Sequence, residues 1–267
     1  GMTTFRLNAT FLPVSAMRPI VSQTNTFRIT SIGTMSQSDA ELQVFYLTPA
    51  PNKVLPRVSV HPYTNIVRST TTITAASATA APAAGTARPT ISNIALNNIQ
   101  LGVLPKKILI GARKARTTIG PAQAETWYPI QSVNLTLNNR SGLLSNSSMY
   151  QLYQMSVESG IQETSWPVWS GLAMNPMAAT DGNVNLVPTA GGFVALDVAK
   201  HLAVDPMYAP SSLGAFNFYG YVTIAPQVAV SQGDQIEICV LFLNDNLLVT
   251  SYGSSSIYQG LFDKETV

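Results

Sequence analysis

Five cationic side chains, Lys106, Lys107, Arg113, Lys114 and Arg116, fall within eleven residues, and no acid lies among them. A cluster of this kind can meet an anion: packaged nucleic acid, a membrane surface or the carboxylates of a neighbouring subunit. The same stretch also suits an edge strand that lysines guard against mispairing, since Leu109, Ile110 and Gly111 sit in its middle. No aromatic residues interleave with the charges, which argues against a platform for stacking single-stranded bases.

The other reactive residue types are sparse. His61 and His201 are the only histidines and neither has a histidine neighbour, so a His-x-His metal centre is absent. His61 precedes Pro62 in a turn-like stretch, and His201 follows Lys200 near a short helical turn. No G-x-S-x-G elbow, P-loop or dinucleotide glycine pattern occurs. Glu158 and Glu163 are candidates for a hydrolytic carboxylate pair, but they flank the end of an expected helix, where solvated acids are common. Asn244-Asp245-Asn246 and Asp181-Gly182-Asn183 could lend oxygens to calcium, and the first also reads as a hairpin turn between two apolar runs. Cys239, the single cysteine, lies inside an apolar strand and reads as a small buried hydrophobe. Trp166-Pro167-Val168-Trp169, with Trp127, could form a sugar platform of a lectin-like β-sandwich; the alternative is that these rings anchor a helix-to-strand connection in the core.

The elements that must hold these residues follow from composition and period. The chain has 267 residues, 46% hydrophobic and only 10% charged, with a formal charge of +2. Roughly 25% charge is usual for soluble domains. Such a surface suits large contacts with other protein subunits, whose interface cores are depleted in charge. It does not suit nucleic-acid binding by bulk electrostatics. No apolar run approaches a membrane span, and the N-terminal residues lack a basic region followed by a hydrophobic one.

Strand signals recur over 26–32, 42–47, 91–101, 107–110, 192–198, 216–224, 235–243 and 247–252, separated by Gly, Pro and Asn clusters. Val133, Leu135 and Leu137 alternate with polar residues, and Asn138 to Gly142 supply turn chemistry. Ser148 with Gln151 makes a capping box that starts a helix over 148–159, and Gly160 stands where a C′ glycine would end it. The low-complexity stretch 69–89 begins as a possible strand and continues as an Ala/Pro/Gly loop on one rim. Strands without βαβ alternation predict an all-β, antiparallel jelly-roll sandwich with one short α-helix near 148–159. No internal repeat or sharp boundary divides it, so residues 1–267 are expected to form a single jelly-roll domain.

Ordered strings along the chain resemble a family. Ile99 to Ile110, IQLGVLPKKILI, resembles a characteristic strand of double jelly-roll major capsid proteins. The closest variants are those of virophages, Polinton-like viruses and related marine viruses, in the lineage that includes adenovirus hexon and tailless phages. Tyr128 to Gly160 is similar to their strand–turn–helix segment, and Tyr208 to Phe218 to their approach to a late strand. Leu42 to Pro49 fits the same frame. The match covers about residues 42 to 243 and is best with the C-terminal jelly roll of such proteins, which generally carry two in a longer chain.

The resemblance implies one half of a double jelly-roll subunit that forms a homotrimer, a pseudo-hexagonal capsomer tiling an icosahedral shell. It implies no catalytic residue, cofactor, metal or small-molecule substrate. Partners would be other capsid subunits, with weak contact to the genome or an internal membrane. The protein would be made in the host cell without a signal peptide and end in the virion. The basic run is the candidate inter-subunit or anionic contact. Trp166 and Trp169 are the candidate sugar platform under the carbohydrate-binding alternative.

Overall fold

The computed structural model describes residues 57–115, 126–138, 140–162, 164–175, 185–202, 204, 212–251 and 254–259, with the backbone of 20–21 and 26–27. In chain order the elements are β1 (Ile20–Val21), β2 (Thr26–Phe27), β3 (Val58–Thr74), β4 (Ile91–Ala95), β5 (Ile99–Val103), β6 (Lys107–Lys114), β7 (Ile130–Leu137) and β8 (Arg140–Leu143). There follow α1 (Met149–Glu158), α2 (Trp166–Trp169), β9 (Leu172–Asn175), β10 (Asn185–Pro188), β11 (Val194–Asp197), α3 (Val198–His201), β12 (Leu213–Ile224), β13 (Gln235–Ser251) and β14 (Ser254–Gln259).

Period-two alternation builds two antiparallel five-stranded sheets. The first is ordered β11-β6-β13, with β3 along the other side of β13 and β14 beside its second half. The second is β4-β12-β7-β8, with β5 sharing the β4 side of β12. From β3 to β13 the chain passes back and forth between the sheets, β3 in the first, β4 and β5 in the second, β6 in the first, β7 and β8 in the second, β11 in the first, β12 in the second and β13 in the first, while β9 and β10 pair with each other as a separate hairpin-like sheet. That wrapping is a jelly roll.

The core lies between the sheets. Ile108 and Ile110 of β6, and Ile236, Ile238, Val240 and Phe242 of β13, face Val133 and Leu135 of β7 and Phe216, Phe218, Val222 and Ile224 of β12; all are buried. Phe218 and Phe242 meet edge to face with ring centroids 5.2 Å apart, one from the middle of each sheet. Gly220 interrupts this row because a β-carbon there would lie 2.4 Å from the Asn134 carbonyl oxygen of the neighbouring strand.

Several expected elements change extent. The run over 91–101 is split into β4 and β5, both paired with β12. His61-Pro62, read as turn-like, lies within β3, an edge strand that tolerates a proline. Asn244-Asp245-Asn246, read as a hairpin turn, runs straight through the middle of β13. The backbone of β3 pairs with it without a break from Val58 to Thr74, and that long ladder outweighs the local turn preference. Strand positions 28–32, 42–47 and 252 lie outside the described residues.

The helix forms where expected. Ser148 Oγ accepts from the Gln151 N–H at 3.3 Å, and Gln151 Oε1 accepts from the Ser148 N–H at 2.8 Å. Gly160 follows with φ +111°, a conformation that favours glycine. Only Leu152 and Ser156 of α1 are fully buried. Ser156 Oγ donates to the Leu152 carbonyl at 2.7 Å and accepts from the Ala195 N–H at 3.0 Å, tying the helix to β11. Ser156→Ala leaves that buried N–H without a partner, and an unsatisfied buried donor costs about 1–3 kcal/mol. Thermal unfolding should show a lower Tm, with the far-ultraviolet circular dichroism of the folded state unchanged.

Candidate functional site

The four described members of the basic run lie on or beside the first sheet, and each is engaged within the chain. Lys106, in the turn before β6, meets Asp245 at 2.7 Å. Lys107 Nζ donates to the Ser159 carbonyl at 2.6 Å, placing a cation at the C-terminal end of α1, where the helix dipole favours one. Arg113 reaches Glu237 at 3.0 Å and lies 5.4 Å from the centre of the Trp127 ring. Lys114 meets Asp234 at 3.1 Å. Arg116 lies outside the described residues. The edge-strand reading does not hold, because β6 is paired on both sides, with β11 and β13.

Alternation in β13 explains this disposition. Its even-numbered residues from Ile236 to Phe242 enter the core, so Glu237, Cys239, Leu241, Leu243 and Asp245 look outward. Opposite Glu237 stand Arg113 on β6 and Thr72 on β3, and Arg68 reaches the same carboxylate oxygen at 2.7 Å from further along β3. Glu237 is thus an acid shared by two guanidinium groups. Burial alone would raise its pKa, but the hydrogen bond and charge of Arg113, with those of Arg68, outweigh it and hold the carboxyl below its ordinary value of 4.5. Asp234 is also lowered, chiefly by the Ser231 N–H that donates to it at 2.9 Å, with Lys114 adding to the effect.

Beside this ion cluster the outer face is apolar. Trp127 and Phe193, in edge contact at 6.0 Å, fold over Gly111, where a β-carbon would lie 2.7 Å from the Trp127 ring. Leu109, Gly111, Trp127, Phe193, Cys239 and Leu241 line a notch of about 90 Å³. Cys239 is buried in its wall, as the apolar strand around it predicts.

The remaining candidates are structural or scattered. Trp169 is fully buried, its indole N–H donates to the Phe193 carbonyl at 2.9 Å, and Trp166 stacks on it with centroids 5.9 Å apart. It therefore offers no face to a sugar; Trp166 is half-buried against Tyr150 and Tyr153. Both rings anchor the connection from α1 to β9. Asn244 and Asn246 are buried on the opposite side of β13 from Asp245, so these three residues do not converge on one cation. His201 Nδ1 accepts from the Asp197 N–H at 3.0 Å, and its Nε2 lies 3.4 Å from exposed Glu158. His61, exposed on β3, contacts only Ser59 Oγ, at 2.8 Å, among the described hydrogen bonds. Glu163 and Asp181-Gly182-Asn183 lie outside the described residues. Among the described residues no three His, Cys, Asp or Glu side chains cluster as metal ligands.

One residue that sequence reasoning passed over is Arg88, in the low-complexity stretch. It donates to the carbonyls of Ser170 at 2.7 Å and Ala225 at 2.6 Å, clamping the loop to the barrel. Burial lowers its pKa to about 10, so it stays cationic at neutral pH. Only its isolation as a lone charge in an Ala/Pro/Thr stretch hinted at this.

Jelly rolls of this topology are the architecture of viral capsid, lectin and cupin domains. The comparisons place this one among capsids: residues 68–246 match the major capsid protein V20 C-terminal domain, and the chain belongs to that family. It is 25% identical over 254 residues to the putative capsid protein V20 of Sputnik virophage, covering 89% of this chain and 39% of that protein. It superposes on a chain of the cryo-EM structure of the Sputnik virophage with a TM-score of 0.66 and 25% identity, covering 82% of this chain and 42% of that one. The crystal structure of the mavirus major capsid protein gives a TM-score of 0.64 at 13% identity, over 82% and 45%, and shares the fold. The chain thus spans less than half the length of these relatives. Its role is that of a structural capsid protein and not an enzyme.

The ion cluster makes a specific prediction. A carboxyl whose pKa is depressed on folding contributes stability that is complete above its unfolded value and is lost as pH falls through the folded value. Stability should therefore decline below about pH 4.5 as Glu237 is protonated. Glu237→Gln should remove that part of the acid dependence and cost about 1.5–3 kcal/mol at neutral pH, the range for hydrogen bonds to charged groups. Urea unfolding of both proteins between pH 3 and 7 checks it.

Proposed function

We propose that this chain is the C-terminal jelly roll of a double jelly-roll subunit, and that the full-length protein forms homotrimeric, pseudo-hexagonal capsomers of an icosahedral shell. Its partners are then other capsid subunits, its place is the virion, and its work is mechanical. One observation carries the reading. A complete jelly-roll wrapping, belonging to the V20 C-terminal domain family, occupies 39–45% of the length of its capsid relatives. That share corresponds to one barrel of two.

The charge inventory supports protein partners over genome or membrane. Among the described members of the basic run, Lys106, Arg113 and Lys114 are ion-paired within the chain and Lys107 donates to a helix-terminal carbonyl, so each is held by an internal partner and not by phosphate. Light scattering on the full-length gene product should return three times its chain mass. A strictly monomeric full-length protein would count decisively against the proposal.

A further inference from the structure

Strand β11 ends the first sheet on the β6 side, and among the described residues no strand pairs with its far edge. Side chains close that edge instead. The Trp169 indole N–H donates to the Phe193 carbonyl at 2.9 Å, just before the strand begins. Ser156 Oγ accepts from the Ala195 N–H at 3.0 Å, and His201 Nδ1 accepts from the Asp197 N–H at 3.0 Å. Positions 193, 195 and 197 alternate, as main-chain groups on one side of a strand must. The closing side chains come from α2, α1 and α3 in turn. Open donors on a sheet edge are a template for an added strand, so their closure keeps the edge from pairing.

The three closures differ in chemistry. An indole and a hydroxyl keep their protons throughout the ordinary pH range, whereas imidazole changes charge between about pH 5 and 8. A main-chain N–H can only donate, so Nδ1 is the bare nitrogen of the His201 ring. The proton of the neutral ring is then on Nε2, which faces Glu158 Oε2 at 3.4 Å. A second proton has only Nδ1 to occupy. There it would confront the Asp197 N–H, two donors 3.0 Å apart, and the bond is lost. The side chain is 7% exposed, so solvent reaches the two donors only if the α3 turn moves.

The charged groups around the ring are few among the described residues. Glu158 faces it from α1. Asp197 caps α3 and accepts from the Ala199 and Lys200 N–H groups. From β6, Lys107 stands opposite Asp197 and gives its ammonium to the Ser159 carbonyl. Lys106 accepts the Val198 N–H on its carbonyl and pairs its own ammonium with Asp245. Lys200 is exposed beside the ring. Glu158 is thus the acid in contact with the ring, and it can partner the charged imidazole through Nε2 while Nδ1 lets go.

From this we infer that His201 is a proton-operated latch on the edge of the first sheet. Neutral, it closes the Asp197 N–H; protonated, it releases that donor and loosens the α3 turn from the end of β11. Acid thereby uncovers part of a strand edge that is closed at neutral pH. The latch lies within one chain and does not depend on the assembly proposed above.

Amide hydrogen exchange of the full-length protein, read residue by residue by mass spectrometry and corrected for the intrinsic rate at each pH, tests it. Between about pH 7.5 and pH 5, which spans the histidine range, protection of the Asp197 amide should fall by about tenfold or more, as expected for the loss of one hydrogen bond. The Ala195 amide, held by a serine, should keep its protection. Exchange of the His201 ring C2 hydrogen reports its protonation, and the Asp197 loss should follow that curve. His201→Asn puts an oxygen near the place of Nδ1 and cannot titrate, so in this variant Asp197 should stay protected at both pH values. The latch is wrong if Asp197 keeps its protection while the ring is protonated, or if the ring stays neutral to about pH 5. It is equally wrong if Ala195 opens together with Asp197, or if His201→Asn loses as much protection as the unmodified protein.

Discussion

The contact of Phe218 with Phe242 joins the middle strands of the two sheets, β12 and β13, and the burial around it decides which side of every neighbouring strand faces out. Each of these strands carries an alternate row of buried residues. Moving either by one position would put Glu237 and Asp245, or Tyr219 and Tyr221, into the space that Phe and Ile now fill. Register is therefore strongly specified at the centre of the molecule. The flanking strands inherit it through the ladders: β3 along the whole of β13, and β7 along β12 from Phe218 to Ile224.

The same constraint governs the few charges. In a chain with 15 basic and 13 acidic residues, a cation on a sheet face has few possible partners. The register brings Arg113, Arg68 and Glu237 together from three strands, and Lys106 to Asp245 from a turn and a strand. Because Glu237 sits under Arg68 and beside Trp127's cover, its carboxylate is buried, and an unpaired charge there would be costly. The residues that look most like a binding patch in one dimension are thus largely consumed in three.

Much of the local structure was legible in residue order. The capping box at Ser148 and Gln151, the stop at Gly160, the strand over β7 and the burial of Cys239 all follow from interactions within a few residues. Legibility failed where a long-range ladder overrode a local preference. Asn244-Asp245-Asn246 has the composition of a turn, yet β3 pairs across it at every position. His61-Pro62 likewise reads as a break, but an edge strand tolerates a missing N–H. The basic run read as an edge because nothing local shows that β11, some eighty residues on, pairs with its far side.

Alternation, turn chemistry, low charge and the order of a few strings were enough to reach an all-β sandwich with one capped helix and a capsid kinship. Those properties depend on near neighbours or on composition, and the chain states them directly. Which residues share a face, which charges cancel and which apolar side chains stay uncovered depend on pairings separated by up to about two hundred residues, as between Val58 and Ser251. Only the closed barrel decides them, because a side chain's exposure is set by what the distant strand beside it presents.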